Sequence, residues 1–320
     1  MDNQLIEQIE AARARTGDDA RPGVVEKIHA SDRLTARERI TLLFDKSSFI
    51  EYGALAGATT RPNDEHYADG LVAGVGLIAG QSVVAASYDS SVLAGTQSDR
   101  NHRKIAKLLY LAVEHRWPFV CFVEGAGARP DDPLPAPPIA VSPRGRFELY
   151  DGLAELNGWA PTVAVVTGNA VDGHAAIAML CDLVITSSDA TFGSADGHSR
   201  AVTDFAKTGD VDIVAKNERD AIEGARRYLS FYLTEPSSGD APPDAEHIAD
   251  IIPQNRRRPY DIRKVIASFA DADSTLELGA DWGRSMLTVL ARLGGRTVGI
   301  YANQPKSPLA GAIDTAAADK

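Results

Sequence analysis

The chain has 320 residues, of which 44% are apolar and 24% charged, the balance of an ordinary globular protein with room for about two domains of roughly 150 residues. With 33 basic and 44 acidic side chains the net charge is −11, which excludes a general reader of nucleic-acid backbones, because that work needs a basic field. No apolar run approaches the ~18 residues of a membrane span, and the polar start Met1 to Gln4 lacks the form of a signal peptide, so the expectation is a cytoplasmic protein with no membrane contact.

Residues 1–33 are charged and Ala/Arg-rich with sparse apolar positions, which reads as a peripheral helical arm. Thr35-Ala36-Arg37-Glu38 has the form of a capping box and is followed by Ile40, Leu43 and Phe44 on one face, so a short helix opens the folded body. The period then changes: Leu71 to Ile78 and Ser82 to Tyr88 flank a turn at Ala79-Gly80, the pattern of a β-hairpin. Ser98 or Asp99 caps the next helix, with Ile105, Leu108, Leu109, Ala112 and Val113 on its apolar side and Arg100, Arg103, Lys104 and Lys107 on the other. Phe119 to Val123 forms a short strand that runs into Glu124-Gly125-Ala126-Gly127-Ala128-Arg129. The same order of strand, glycine turn and helix recurs at Pro161 to Thr167, Gly168 to Gly173 and Ala175 to Leu180, and Leu183 to Thr186 adds a strand. Strands alternating with helices predict an α/β layer structure. After a helix-like stretch from Arg219 to Tyr232, Glu235 to Pro243 breaks every periodicity and reads as a linker.

The chain also repeats itself. Ile40 to Asp45 followed by Glu51-Tyr52-Gly53-Ala54 resembles Ile266 to Asp271 followed by Glu277-Leu278-Gly279-Ala280. The hairpin around Gly80-Gln81 resembles Met286 to Tyr301 around Gly295-Arg296, and Leu93-Ala94-Gly95 has its counterpart in Leu309-Ala310-Gly311. A second domain is therefore expected to begin near the end and not to finish.

Gly125-Ala126-Gly127-Ala128 has little side-chain bulk, so its amides can approach a ligand closely; the alternative is a tight turn packed on neighbouring backbone. Gly168 to Gly173 carries the same two readings, and two such turns converging on one oxygen would make an oxyanion hole. Arg100, His102, Arg103 and Lys104 at a helix start suit an anion or a solvated face, and Arg256-Arg257-Arg258 suits an interface or solvent. Asp172 and His174 could form an acid/base pair, yet no reactive serine or cysteine is placed beside them, and neither G-x-S-x-G nor GxxxxGK[ST] occurs. Cys121 and Cys181 lie far apart with no CxxC pairing, so neither a disulfide framework nor a metal site is expected.

Leu34-Thr35-Ala36-Arg37-Glu38-Arg39-Ile40, Ala68-Asp69-Gly70-Leu71-Val72, Leu93 to Gln97, Arg100-Asn101-His102, Glu124 to Pro130, Asn255 to Tyr260 and Ala302-Asn303-Gln304-Pro305, in that order, resemble the carboxyltransferase (β) component of the biotin-dependent acyl-CoA carboxylases, of the propionyl-CoA and acetyl-CoA carboxylase type. The resemblance covers residues 33–320. It implies a crotonase-like ββα superhelix with a complete N-terminal domain at 34–233 and the start of an incomplete C-terminal domain at 255–320, to which the arm at 1–33 and the linker at 234–254 are added from composition. It implies transfer of the carboxyl group of carboxybiotin, carried on a biotin carboxyl carrier partner charged by biotin carboxylase, to the α-carbon of an acyl-CoA through an enolate held by backbone amides.

By the same resemblance the catalytic amides fall on Gly173 and Asp172, and Gly125, Ala126, Gly127, Ala128 and Arg129 contact acyl-CoA. Arg100 and Lys104 are placed as partners of the CoA phosphates by position and charge. The biotin-side donors of the family fall in the missing remainder, so the chain is expected to form a homo-oligomer and to bind acyl-CoA without efficient transfer on its own. The family usually carries paired glycines where this chain has Ala126-Gly127 and Asp172-Gly173, and an aspartate near a developing enolate is unfavourable unless turned away. Two alternatives remain at this point: a crotonase-type hydratase, isomerase or decarboxylase using Asp172, His174 or Asp196, and a degenerate subunit without catalysis.

Overall fold

The computed structural model describes residues 3–58, 67–130, 148–194, 196–234, 248–255 and 257–320. Glu235 to Pro243, read as a linker, and Arg256 of the basic triplet lie outside the described residues. The chain divides into two compact units, Met1–Val202 with Ala215–Arg226, and Thr203–Val214 with Arg227–Lys320.

The first unit opens with helices α1 (Asn3–Ala14) and α2 (Pro22–His29); α2 begins on proline, whose missing N–H costs nothing at that position, and buries none of its side chains. Helix α3 (Ala36–Leu43) has the expected capping box: Thr35 Oγ1 accepts from the Glu38 amide at 3.0 Å, and the Glu38 carboxylate accepts from the Thr35 amide at 2.8 Å. It buries Ile40 and Leu43, and on the same inner side Arg39, whose charge needs a partner.

Strands β1 (Ile50–Glu51), β2 (Leu71–Ile78), β3 (Gln81–Tyr88), β4 (Phe119–Gly125), β5 (Thr162–Val171) and β6 (Leu183–Ser187) lie in that order in one sheet. The first three are antiparallel and β3 to β6 are parallel. The parallel connections run through helices α4 (Asp99–His115), α5 (Leu149–Leu156) and α6 (Gly173–Met179). Parallel strands are covered on both faces, which is why β4 reads as an unbroken apolar run and is buried along its whole length. Each of its large side chains contributes roughly 1.5–3 kcal/mol by leaving water.

Strand β5 is longer than the sequence suggested. Asn169, Ala170 and Val171 pair with Thr191, Phe192 and Gly193 of β7 (Thr191–Gly193), which pairs in turn with β8 (Ser199–Ala201). Gly168 to Val171 is therefore strand rather than turn, and the second turn shrinks to Asp172-Gly173. A partner strand far along the chain supplied the hydrogen bonds that local glycine content argued against.

Helix α7 (Val202–Ala206), strand β9 (Ile213–Ala215) and helix α8 (Glu218–Leu233) follow. The second unit contains α9 (Ile248–Ile251), α10 (Ile262–Phe269), an antiparallel sheet of β10 (Leu276–Leu278), β11 (Met286–Leu293) and β12 (Arg296–Asn303), and α11 (Thr315–Asp319). Ile266, Leu287 and Val289 form its small core. The hairpin β11–β12 repeats β2–β3, with eight-residue strands joined at Gly294-Gly295 where the first has Ala79-Gly80. Residues 203–214 belong to this unit: the Gly279 amide donates to Asp212 O at 2.9 Å, and the Trp282 ring lies against Gly209.

Candidate active site

The parallel strands β4 and β5 deliver the two turns side by side at their C-terminal ends, where loops of α/β sheets carry chemistry. A methyl on Gly127 would stand 3.4 Å from Val171 Cγ1 and 3.6 Å from Asp172 Oδ2, so the turns abut. Ala126, Ala128 and Asp172 are exposed and Gly173 is half-buried, so the junction faces solvent.

The first turn is held from below. Gly125, at φ +151°, leaves no space for a side chain: a methyl would sit 2.5 Å from Gly95 O and 2.6 Å from the His174 ring. The Ala126 amide donates to Ala94 O at 3.1 Å, the Gln97 amide to Gly127 O at 2.8 Å, and the Arg129 amide to Gln97 O at 2.8 Å. Arg129, expected at the ligand, is instead 2% exposed. Its guanidinium meets Asp69 Oδ1 at 2.6 Å and donates to Thr96 O and Oγ1 at 3.2 Å. The charge of the side chain is spent anchoring the turn.

Glu124, the side chain just before the turn, is buried between Arg39 Nη1 at 3.0 Å and Arg33. Arg39 also binds Glu218, with Nε to Oε2 at 3.0 Å and Nη2 to Oε1 at 3.2 Å. Burial pushes the Glu124 carboxyl up, but the two guanidiniums outweigh it and bring it down to about 2. This network of α3, β4 and α8 was missed in the sequence. Its signal was a charged residue closing an otherwise apolar strand.

In the second turn Asp172 adopts φ +47°, ψ −106°, a conformation natural to glycine and costly for a residue with a side chain. The Asp172 amide, expected as an oxyanion donor, donates to Gly193 O at 3.1 Å. Gly173 is the first residue of α6, and the helix's first backbone bond, from the Ala176 amide to Asp172 O at 2.9 Å, lies after it. Its N–H therefore has no intrahelical acceptor.

On α4, Arg100 is exposed and its Nη1 donates to Gly57 O at 2.7 Å. Lys104, expected beside the CoA phosphates, donates from Nζ to Leu71 O and, at 3.4 Å, to Gly53 O, and burial brings its ammonium down to about 8. Side-chain acid/base chemistry finds no support. His174 is fully buried with Nδ1 3.3 Å from Val171 O, and burial lowers it to about 4, so it is neutral at pH 7. Asp196 is exposed on a loop, its carboxyl lowered by Ser194 and the His198 amide. Burial pushes the Cys121 thiol well up and the Cys181 thiol up to about 12, so neither is a thiolate. What the junction offers a substrate is main-chain N–H.

The model of the carboxyl transferase domain family matches residues 27–320. The chain belongs to this family. Its fold is the mixed α/β crotonase-like fold of carboxyltransferases. It is 32% identical to the biotin-dependent acetyl-/propionyl-coenzyme A carboxylase beta5 subunit of Mycobacterium tuberculosis (strain CDC 1551 / Oshkosh), across 99% of this chain and 62% of that protein. It is equally 32% identical to the methylmalonyl-CoA carboxyltransferase 12S subunit of Propionibacterium freudenreichii subsp. shermanii, across 99% of this chain and 63% of that protein. Among solved structures, a single-chain, multi-domain long-chain acyl-CoA carboxylase superposes with a TM-score of 0.89 at 36% identity, covering 98% of this chain and 33% of that one. The hexameric transcarboxylase 12S core, solved with methylmalonyl-coenzyme A and methylmalonic acid, gives 0.80 at 29% identity, covering 99% and 64%. The chain thus spans less than two thirds of the length of these carboxyl transferase relatives. No helix among the described residues is long and apolar enough to cross a membrane.

Proposed function

We propose that this chain works as the acyl-CoA side of a biotin-dependent carboxyltransferase. The reaction moves a carboxyl group from carboxybiotin, presented by a biotin carboxyl carrier partner, to the α-carbon of an acyl-CoA. Carboxybiotin would supply the carboxyl group by cleavage of its N–C bond, and the ureido nitrogen so freed would take up the α-proton; the chain's own part is to hold the thioester so that negative charge can gather on its oxygen. The Gly173 N–H carries this reading, because it is the amide at the junction of the two turns with no acceptor in its own helix. An amide donor aimed at a developing enolate is worth roughly 3 kcal/mol to the transition state. The backbone of Gly125, Ala126, Gly127 and Ala128 forms the facing wall, and exposed Arg100 remains the cation for the CoA phosphates. The relatives support the reaction class, the buried neutral His174 weighs against a hydratase, and the abutting turns weigh against a purely structural subunit.

The reading includes domains at 34–233 and from 255 onward, a homo-oligomer and a cytoplasmic setting. Its test is calorimetric titration with propionyl-CoA and with S-propyl-CoA, a thioether of the same carbon count without the carbonyl. One hydrogen bond of about 1 kcal/mol makes the thioester bind roughly fivefold more tightly. Equal affinities would remove the oxyanion role.

A further inference from the structure

Gln97 reaches both turns. Its backbone braces the first, through the amide bond to Gly127 O and the carbonyl bond from the Arg129 amide, both 2.8 Å, in a short parallel bridge with Ala128. Its side chain lies against the second: a methyl on Gly173 would overlap Gln97 Oε1 and stand 3.1 Å from Cδ and 3.3 Å from Nε2. Gln97 is 2% exposed, and its side-chain amide faces the buried Tyr88 hydroxyl. His174 makes the reciprocal contact. It belongs to the second turn, its ring covers Gly125 of the first, and it packs edge-on to Tyr88 with ring centres 4.5 Å apart. Each turn's glycine thus has its α-carbon covered by a side chain that is anchored in, or braces, the other turn.

We propose that Gln97 is a positioning residue that fixes the Gly173 peptide relative to the first turn. The inference rests on the reading of Gly173 as the oxyanion donor and adds what aims it. Its planar amide is a strut: with the backbone of Gln97 tied to Gly127 and Arg129, the side chain sets how closely Gly173 approaches, and so where its N–H points. Glycine at 173 is then required by the strut as well as by the turn, because any Cβ would displace it.

The test uses the full chain and the same two probes, propionyl-CoA and S-propyl-CoA. Gln97→Ala and the one-methylene-shorter Gln97→Asn both withdraw the strut, so two variants guard against one failing to fold. The expected result is a fall in the thioester-to-thioether preference from about fivefold to below twofold, with thioether affinity kept within twofold of the native chain. Gln97→Met, which restores the reach, is expected to recover the preference. A folded Ala or Asn variant that keeps the native preference overturns the proposal, and so does an equal loss of affinity for both probes, the mark of a merely structural role. Thermal unfolding supplies the independent arm: Gly173→Ala should lower the melting temperature in the native background and much less in the Gln97→Ala background. Equal damage in both backgrounds would show that the two residues are not coupled. Should the native chain show no thioester preference, the donor reading fails and the positioning role with it, while the unfolding comparison still reports whether the contact exists.

Discussion

The two turns differ in how their backbone is used. In the first, the Ala126 and Arg129 amides are bonded to Ala94 O and Gln97 O, Gly127 O accepts from Gln97, and Arg129 is sunk in an ion pair with Asp69. In the second, Asp172 is bonded to Gly193 O, but Gly173 opens a helix and keeps its N–H. The difference teaches that a glycine-rich loop is not a ligand cradle because it is flexible. The first turn is tied down by its own backbone bonds and by buried charge, and it lies beside a second turn whose Gly173 opens a helix.

The harshest way to break the contrast is Arg129→Met. It leaves Asp69, which is fully buried, without its cation, and breaking such a pair costs about 3–5 kcal/mol. Urea unfolding should show that loss; a loss below about 1 kcal/mol would mean that the turn is held by its backbone bonds alone.

Acid separates the turns by pH window. His174, at about 4 in the fold against an ordinary 6.5, stays neutral while the unfolded chain takes up a proton. Stability is therefore full above pH 6.5 and falls between 6.5 and 4, by on the order of 3 kcal/mol for a shift of that size. His102, also lowered by burial to about 4, adds to the same window. Glu124, at about 2 against 4.5, contributes above pH 4.5 and loses its contribution as the pH falls through 2. His174→Asn should remove about half of the fall in the upper window, leaving the share of His102, and leave the lower window unchanged; unfolding midpoints measured from pH 7 to pH 2 will show whether the two windows separate in this way.

How much of this was written in the sequence follows from the range of each interaction. The Thr35–Glu38 box, the Ser98 cap and both hairpins were legible, because their partners lie within a few residues or repeat a pattern of period two. The neighbouring of the turns followed from two strands that each end in glycine. Arg129 with Asp69, Arg39 with Glu124 and Glu218, and Asp172 with Gly193 were not legible. They join residues from about 20 to nearly 180 positions apart, and charge or glycine content alone does not say which group will be buried. The sequence shows the charges of Arg129 and Lys104 but not the buried partners, Asp69 and Leu71 O, that each meets in the fold.

Asp172→Gly sharpens the comparison by giving the second turn the residue that its backbone angles favour. Relief of the left-handed conformation, less the extra freedom of glycine in the unfolded chain, should stabilise by about 1 kcal/mol. Removing the carboxylate beside Gly127 should also raise the thioester preference two- to threefold, roughly, because a like charge near the oxygen is lost. If that preference falls instead, the aspartate assists the site rather than burdening it.

The smallest expected effect distinguishes two lysine roles. Were Lys104 a phosphate partner, Lys104→Met would cost a charge-assisted hydrogen bond, tenfold or more in CoA affinity. Because its ammonium is turned to Leu71 O and Gly53 O and lowered to about 8 by burial, affinity should change less than about twofold. The stability effect carries its own sign. The folded chain holds the proton less tightly than the unfolded one, whose lysine titrates near 10.5, so native stability rises as the pH goes from 8 towards 10.5. Methionine at 104, with no proton to lose, should remove that rise, whereas Arg100→Met should leave it intact and lower CoA affinity about tenfold in a salt-dependent manner.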